Sequence, residues 1–236
     1  MRGETFRPEG DGYDGHDRYD EERTGFQRAA RHRPAIIVGA RCPGGVRLAV
    51  EFAAVHGLPV TVKATGHGPA VLADGGVLVT TCRMDGVRID AATATTHPEA
   101  GARWEQVVPE ASRSGLAPLN GSAPHVAAVP YTLGGGLRLL SCAYGYAADH
   151  VRAMDVVTAD TRLRHVTPDS DPDLFWALLG GPRQLRHRRR AGDRPAAGRA
   201  DLRRRSRVEE HRNENRRQAL VGPWWAADGP SVAGPA

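Results

Sequence analysis

A chain of 236 residues with 40% hydrophobic side chains can bury the core of one large domain or two small ones. No run approaches the ~20 apolar residues of a membrane span, and the polar start, Met1 to Gly12, lacks the apolar core of a signal peptide, so a cytoplasmic, membrane-free protein is expected. The net charge of +5 is uneven: residues 1–181 carry eighteen basic against twenty-one acidic side chains, residues 182–236 fourteen against six, so any affinity for nucleic acid belongs to the tail alone.

Cys42, Cys82 and Cys142 form no CxxC pair and leave an odd thiol under any disulfide scheme, which points to reduced thiols, and no metal site is expected. Residues 1–33 mix acidic, glycine and arginine residues with few apolar ones and are expected to form an irregular arm. From Pro34 the pattern sharpens. Ala35 to Val38 is a short apolar strand, and Val46, Val50 and Ala53 recur at helical spacing beside a second stripe of Leu48, Phe52 and Val55. Gly57 closes that helix, and strand Leu58 to Val62 follows, giving a β-α-β unit whose helix is expected to be buried on much of its girth.

This second strand delivers Lys63-Ala64-Thr65-Gly66-His67-Gly68, a glycine loop carrying one histidine. Glycines on both sides of the imidazole let the backbone turn tightly and come close to a ligand. Loops at the carboxyl ends of strands are where open α/β layers bind ligands. A dinucleotide fingerprint of the G-x-G-x-x-G kind does not fit, because Val71 stands at the third glycine and Pro69 removes a backbone N–H.

Val77 to Thr80 and Val87 to Ile89 are expected strands around the turn Met84-Asp85-Gly86. Glu99 to Ala102 reads as a strand, and Trp104 to Ser114 as a helix that Pro109 kinks or shortens. A second loop system follows: Asn120-Gly121-Ser122, then Thr132-Leu133-Gly134-Gly135-Gly136, then Tyr144-Gly145 and Asp149. Consecutive glycines present backbone N–H groups without side chains in the way, a geometry that suits the oxygens of a pyrophosphate. Val151 to Thr158 and Leu163 to Thr167 form a hairpin, and Asp171 caps a helix with Pro172 at its first position and Leu174, Phe175, Ala177 and Leu178 on its apolar face.

The two loop systems, in this order over residues 6–181, resemble the FAD-dependent oxidoreductases with a p-cresol-methylhydroxylase-type FAD-binding domain, in the berberine-bridge-enzyme-like branch. The resemblance implies an α+β fold with two α/β subdomains, residues 34–90 and 91–181, preceded by the arm at 1–33. Gly12-Tyr13-Asp14 and Thr24 to Gln27 are similar to the segment by which such arms enter the domain. FAD is the implied cofactor, joined covalently to His67. Thr65, Gly66, Gly68, Asn120, Gly121 and Ser122 would meet the pyrophosphate. Thr132, Leu133, Gly134, Gly135, Gly136, Tyr144 and Gly145 would line diphosphate and ring, with Asp149 and Val156 completing the pocket.

Some relatives attach the flavin a second time through a cysteine before a proline, where Ala123 stands here, so one attachment is expected. Glycine is common in the family where this chain has Ala127 and Pro130. The implied partners are a small-molecule substrate and molecular oxygen; hydride passes from a substrate C–H bond to the flavin. The resemblance places the substrate domain and the catalytic base beyond residue 181, so no catalytic residue is assigned.

Residues 182–217 hold fourteen arginines and few spaced apolar residues, so the fold is expected to be incomplete at its C-terminal end and to run into a disordered tail at 182–236. An alternative is a nucleic-acid-binding tail that grips phosphates, with strong salt dependence; no recognisable module supports it. The genetic code offers another explanation. Codons for Pro182 to Arg190 can be written CCG CGG CAA CTT CGG CAT CGT CGT CGC, and moving the reading start by one base gives Arg-Gly-Asn-Phe-Gly-Ile-Val-Val, the continuation usual in the family. The tail is then an out-of-frame product. Sequencing the DNA across codons 178–192 should recover this shifted peptide, and codons that cannot encode it would refute the idea.

Overall fold

The computed structural model describes residues 3–8, 15–68, 71–137, 141–179, 202–209 and 211–212. Gly12 to Asp14, Gly180 and Gly181 fall outside the described residues. No helix of the described residues is long and apolar enough to cross a membrane.

The elements in chain order are β1 (Gly3–Phe6), α1 (Gly15–Arg23), β2 (Ile36–Ala40), α2 (Pro43–Val55), β3 (Val60–Lys63), β4 (Val77–Thr80), β5 (Val87–Asp90), β6 (Thr95–Pro98) and α3 (Trp104–Arg113). Then come β7 (Leu116–Ala117), α4 (Ala128–Leu133), α5 (Ser141–Tyr144), a 3-10 turn (Ala147–His150), β8 (Val151–Val157), β9 (Leu163–Val166), α6 (Pro172–Leu178), β10 (Leu202–Glu209) and β11 (His211–Arg212).

One sheet has the order β1-β2-β4-β3. Its last three strands run parallel, with Val38 beside Val79 and Val62 beside Val79 on the other side. Central β4 is buried at all four positions, as the middle of a covered sheet requires. On α2, Val46, Ala49, Val50 and Ala53 are buried against this sheet. The second stripe is not: Phe52 is 39% and Val55 77% exposed. A single sheet layer covers one side of a helix, so α2 is amphipathic rather than buried around its girth. Gly57, at φ +63°, ends it with the Leu58 N–H bonded to the Ala53 carbonyl.

The second sheet is antiparallel in the order β5-β6-β10-β8-β9. β4 and β5 are the expected strands around the Met84 turn, which passes the chain from one sheet to the other. Two expectations are corrected. The strand expected at Glu99 to Ala102 lies four residues earlier, as β6, because that register sets Ile89 opposite Thr96. Helix α3 keeps all ten residues through Pro109, held by buried Trp104, Val107 and Ala111. The β8–β9 hairpin and the Asp171 cap are as expected; the Asp171 carboxylate accepts the Leu174 N–H at 3.2 Å. Thr161, in the turn of this hairpin, takes φ +64°.

Residues 202–209 of the tail form β10, between β6 and β8, and residues 211–212 pair with β7. The rest of the tail falls outside the described residues. Ladder bonds use backbone groups that any non-proline residue carries, so an arginine-rich segment can satisfy two strand edges. The β10–β8 register shifts twice, between Arg203 and Arg205 and between Arg207 and Val208.

The arm is not irregular throughout. β1 pairs antiparallel with β2, and Phe6 and Tyr19 enter a core with Ile37, Ala73 and Leu78. The Tyr19 hydroxyl donates to the Pro34 carbonyl at 2.6 Å. Buried His32 accepts the Ala73 N–H on Nδ1 at 3.0 Å. Burial, and then the charges of Lys63 and Arg23, hold His32 below its ordinary value of 6.5. The unfolded chain therefore takes up a proton near that pH while the folded chain does not. Stability should be level above about pH 6.5 and fall as pH drops below it. A thermal-melting series from about pH 7.5 to 5 checks this, and His32→Gln should flatten the acid limb.

Candidate functional site

The site begins where β3 ends. Lys63, buried, donates its ammonium to the backbone carbonyls of Glu22 and Thr24, each at 2.6 Å. The Glu22 carboxylate lies between Arg83, with nitrogens at 2.7 and 2.8 Å, and the Thr80 hydroxyl. Burial alone would raise the Glu22 pKa, but these hydrogen bonds outweigh it and hold the carboxyl below its ordinary range. The segment after α1 is thereby fastened across the glycine loop. Phe26 N–H donates to the Thr65 carbonyl at 3.0 Å and Gln27 N–H to the Gly66 carbonyl at 3.1 Å. Gly66 sits at φ +71°, and a Cβ there would lie 2.7 Å from the Gly25 Cα, so this crossing needs glycine on both strands.

His67 follows directly. The Phe26 ring stacks on its imidazole, with centroids 4.1 Å apart and planes 11° from parallel. Its Nδ1 is 3.0 Å from the Thr65 hydroxyl, which also accepts the Ala127 N–H at 3.3 Å. Thr65 therefore ties the first loop to the second. A groove of about 320 Å³ opens here, lined by Phe26, Lys63, Thr65, His67, Arg103 and His125 among others. Burial, and then the charges of His125 and Arg103, hold His67 below its ordinary pKa of 6.5. The imidazole is neutral at neutral pH, the form that can act as a nucleophile.

The second loop system has a mixed outcome. Asn120 bonds its own loop through the Gly121 carbonyl at 2.9 Å, Ser122 is exposed, and Gly121 lies against the Tyr131 ring, 2.8 Å from where a Cβ would stand. Thr132 and Leu133 are buried in α4. Gly134 and Gly135 do not offer a row of free donors: their N–H groups close the end of α4 onto the Pro130 and Thr132 carbonyls. The glycine run is a helix cap whose carbonyls receive Ala147 and Ala148, and Gly136 leaves room that a Cβ would take from Ala147.

Exposed Tyr144 ends α5, Gly145 follows it, and Asp149 accepts the Tyr146 N–H at 2.8 Å within its own turn. Val156 is fully buried in the β8 core rather than on the groove. Of these positions, Thr65 and His67 line the groove. Ala127 and Pro130, where the family often has glycine, cause no strain. Ala127 caps α4 at φ −69°, and Pro130 falls in the first turn, where its missing N–H has no helical partner.

Arg103, His125 and Glu22 were invisible to motif reasoning. They come from the N-cap of α3, the second loop and the arm, far apart in sequence, and nothing local to them signals a site.

A sequence family described as FAD binding domain matches residues 34–167. The chain is 33% identical over 153 residues to (R)-6-hydroxynicotine oxidase of Paenarthrobacter nicotinovorans, covering 64% of this chain and 33% of that protein. The crystal structure of 6-hydroxy-D-nicotine oxidase from Arthrobacter nicotinovorans superposes with a TM-score of 0.75 at 25% identity, over 90% of this chain and 43% of that one. The glucooligosaccharide oxidase of Acremonium strictum, whose FAD is described as 6-S-cysteinyl, 8α-N1-histidyl, shares the fold with a TM-score of 0.72 at 24% identity, over 88% of this chain and 40% of that one. The chain spans about a third of the length of the curated relative.

The electrostatics of His67 are directly measurable. Its imidazole should titrate below 6.5 in an NMR pH series, and Arg103→Ala, by removing one neighbouring positive charge, should move the midpoint up. An unchanged midpoint in that variant would contradict the assignment.

Proposed function

As a member of the FAD-binding-domain family of oxidoreductases, matched over residues 34–167, this chain is one that we propose binds FAD across its two loops and joins it covalently to His67. The observation that carries this reading is His67 itself: a neutral imidazole on the wall of the groove, fixed between the Phe26 ring and the Thr65 hydroxyl. The residues present fit the cofactor. The loop around His67 exposes glycine where a Cβ at Gly68 would meet nothing within 4 Å, which leaves room for a close approach, and Arg103 brings positive charge to the groove for a diphosphate.

The flavin, when bound, supplies the hydride-accepting ring and returns the electrons to oxygen. The protein binds and orients it. The backbone of Thr65 to Gly68 and of Asn120 to Ser122 would hold the diphosphate, and the α4 cap at Gly134 to Gly136, with Tyr144 and Gly145, would support the ring. Asp149 and Val156 act by holding their turn and strand in place. Ala123, where a second cysteine attachment occurs in some relatives, leaves His67 as the sole link.

A small-molecule C–H donor is the substrate class, with oxygen as the final acceptor. The chain spans about a third of the length of the curated relative, and we read residues 182–236 as an out-of-frame replacement and the chain as a flavin-binding fragment. After incubation with FAD, acid precipitation and washing, the wild-type pellet should stay yellow and the His67→Ala pellet should be colourless. Acid-stable flavin in the variant would refute attachment at His67.

A further inference from the structure

His125 lines the same groove as His67, and flavin binding alone gives it no role. Its Nδ1 lies 2.8 Å from a Glu105 oxygen, while the other Glu105 oxygen meets Arg103 at 3.3 Å. An ionised carboxylate only accepts, so the Nδ1–H of His125 donates to Glu105 and Nε2 is the ring nitrogen left for another partner. The backbone on both sides of His125 is fastened to the start of α3. Glu105 N–H donates to the Pro124 carbonyl at 3.0 Å and Trp104 N–H to the Val126 carbonyl at 3.1 Å. The pair is therefore held in place although its side chains are exposed, and His125 lines the groove together with His67.

We propose that His125, oriented by Glu105, is the proton acceptor when the flavin becomes attached to His67; the proposal rests on the covalent reading above. Attachment forms one carbon–nitrogen bond, and it breaks one C–H bond of the flavin 8α-methyl group and the N–H bond of the imidazole. Two electrons pass to the flavin ring and on to molecular oxygen, which leaves with both protons as hydrogen peroxide. The imidazole proton needs a base beside the groove. The other titratable groups lining it are less suited: Glu21 is a carboxylate, Glu22 is committed to Arg83 and Thr80, Lys63 and Arg103 are cations, and burial pushes the Cys82 thiol up. A neutral imidazole is a stronger base than a carboxylate.

The test follows acid-stable flavin over time in the full chain mixed with FAD in air, with reversible FAD binding measured separately by flavin fluorescence. His125→Gln should attach flavin about 100-fold more slowly, the low end of what a general base contributes, with unchanged reversible affinity. Added imidazole should restore part of the rate to His125→Gly, a rescue that a structural role would not give. Glu105→Gln should slow attachment less. If His125→Gln matches the wild-type rate while His67→Ala attaches nothing, this proposal is overturned and attachment at His67 stands. If the wild type itself holds no acid-stable flavin, both are overturned.

Discussion

The site depends on where one ammonium group is placed. Lys63, the only lysine in the chain, ends β3 and is buried with its charge spent on two carbonyls of the arm. Burial pushes its pKa down, and the Glu22 carboxylate nearby counters part of that shift. A buried cation is tolerated only when its donors are satisfied. The two carbonyls and the Glu22–Arg83 pair meet that condition only if the arm lies across the loop. The same crossing brings Phe26 onto His67. Stability of the buried charge and presentation of the histidine are thus one arrangement.

The groove is assembled from pieces that belong to different layers. The parallel sheet supplies the His67 loop at the ends of its strands, and the antiparallel subdomain supplies α3 and the loop before α4. The Thr65 hydroxyl joins them, since it meets His67 on one side and the Ala127 N–H on the other. A hydroxyl suits this place because it can accept from the amide and still share a hydrogen with the imidazole.

The antiparallel sheet takes its middle strand from the arginine-rich tail. β10 is bonded to β6 on one edge and β8 on the other, with two shifts of register along β8. Backbone pairing alone can build such a ladder, but register is normally pinned by an alternation of apolar and polar side chains. Leu202 to Glu209 offers no such alternation, having four arginines in eight residues. The irregular register agrees with that lack.

By itself the sequence determined the periodic and the local features. The helical stripe Val46, Val50, Ala53, the cap at Gly57, the β8–β9 hairpin and the Asp171 cap are local, because each depends on residues within one or two turns of chain. The glycine loop with His67 was legible for the same reason, as was its place at a strand end.

The tertiary structure alone decided the rest. It showed that β4 and β5 part into separate sheets, that α2 has only one buried face, and that Gly134 and Gly135 spend their N–H groups on a helix end. It also brought Glu22, Arg103 and His125 around His67. These are long-range facts: hydrogen-bond partners and neighbouring charges are set by which strands lie side by side, and no short window of sequence records that.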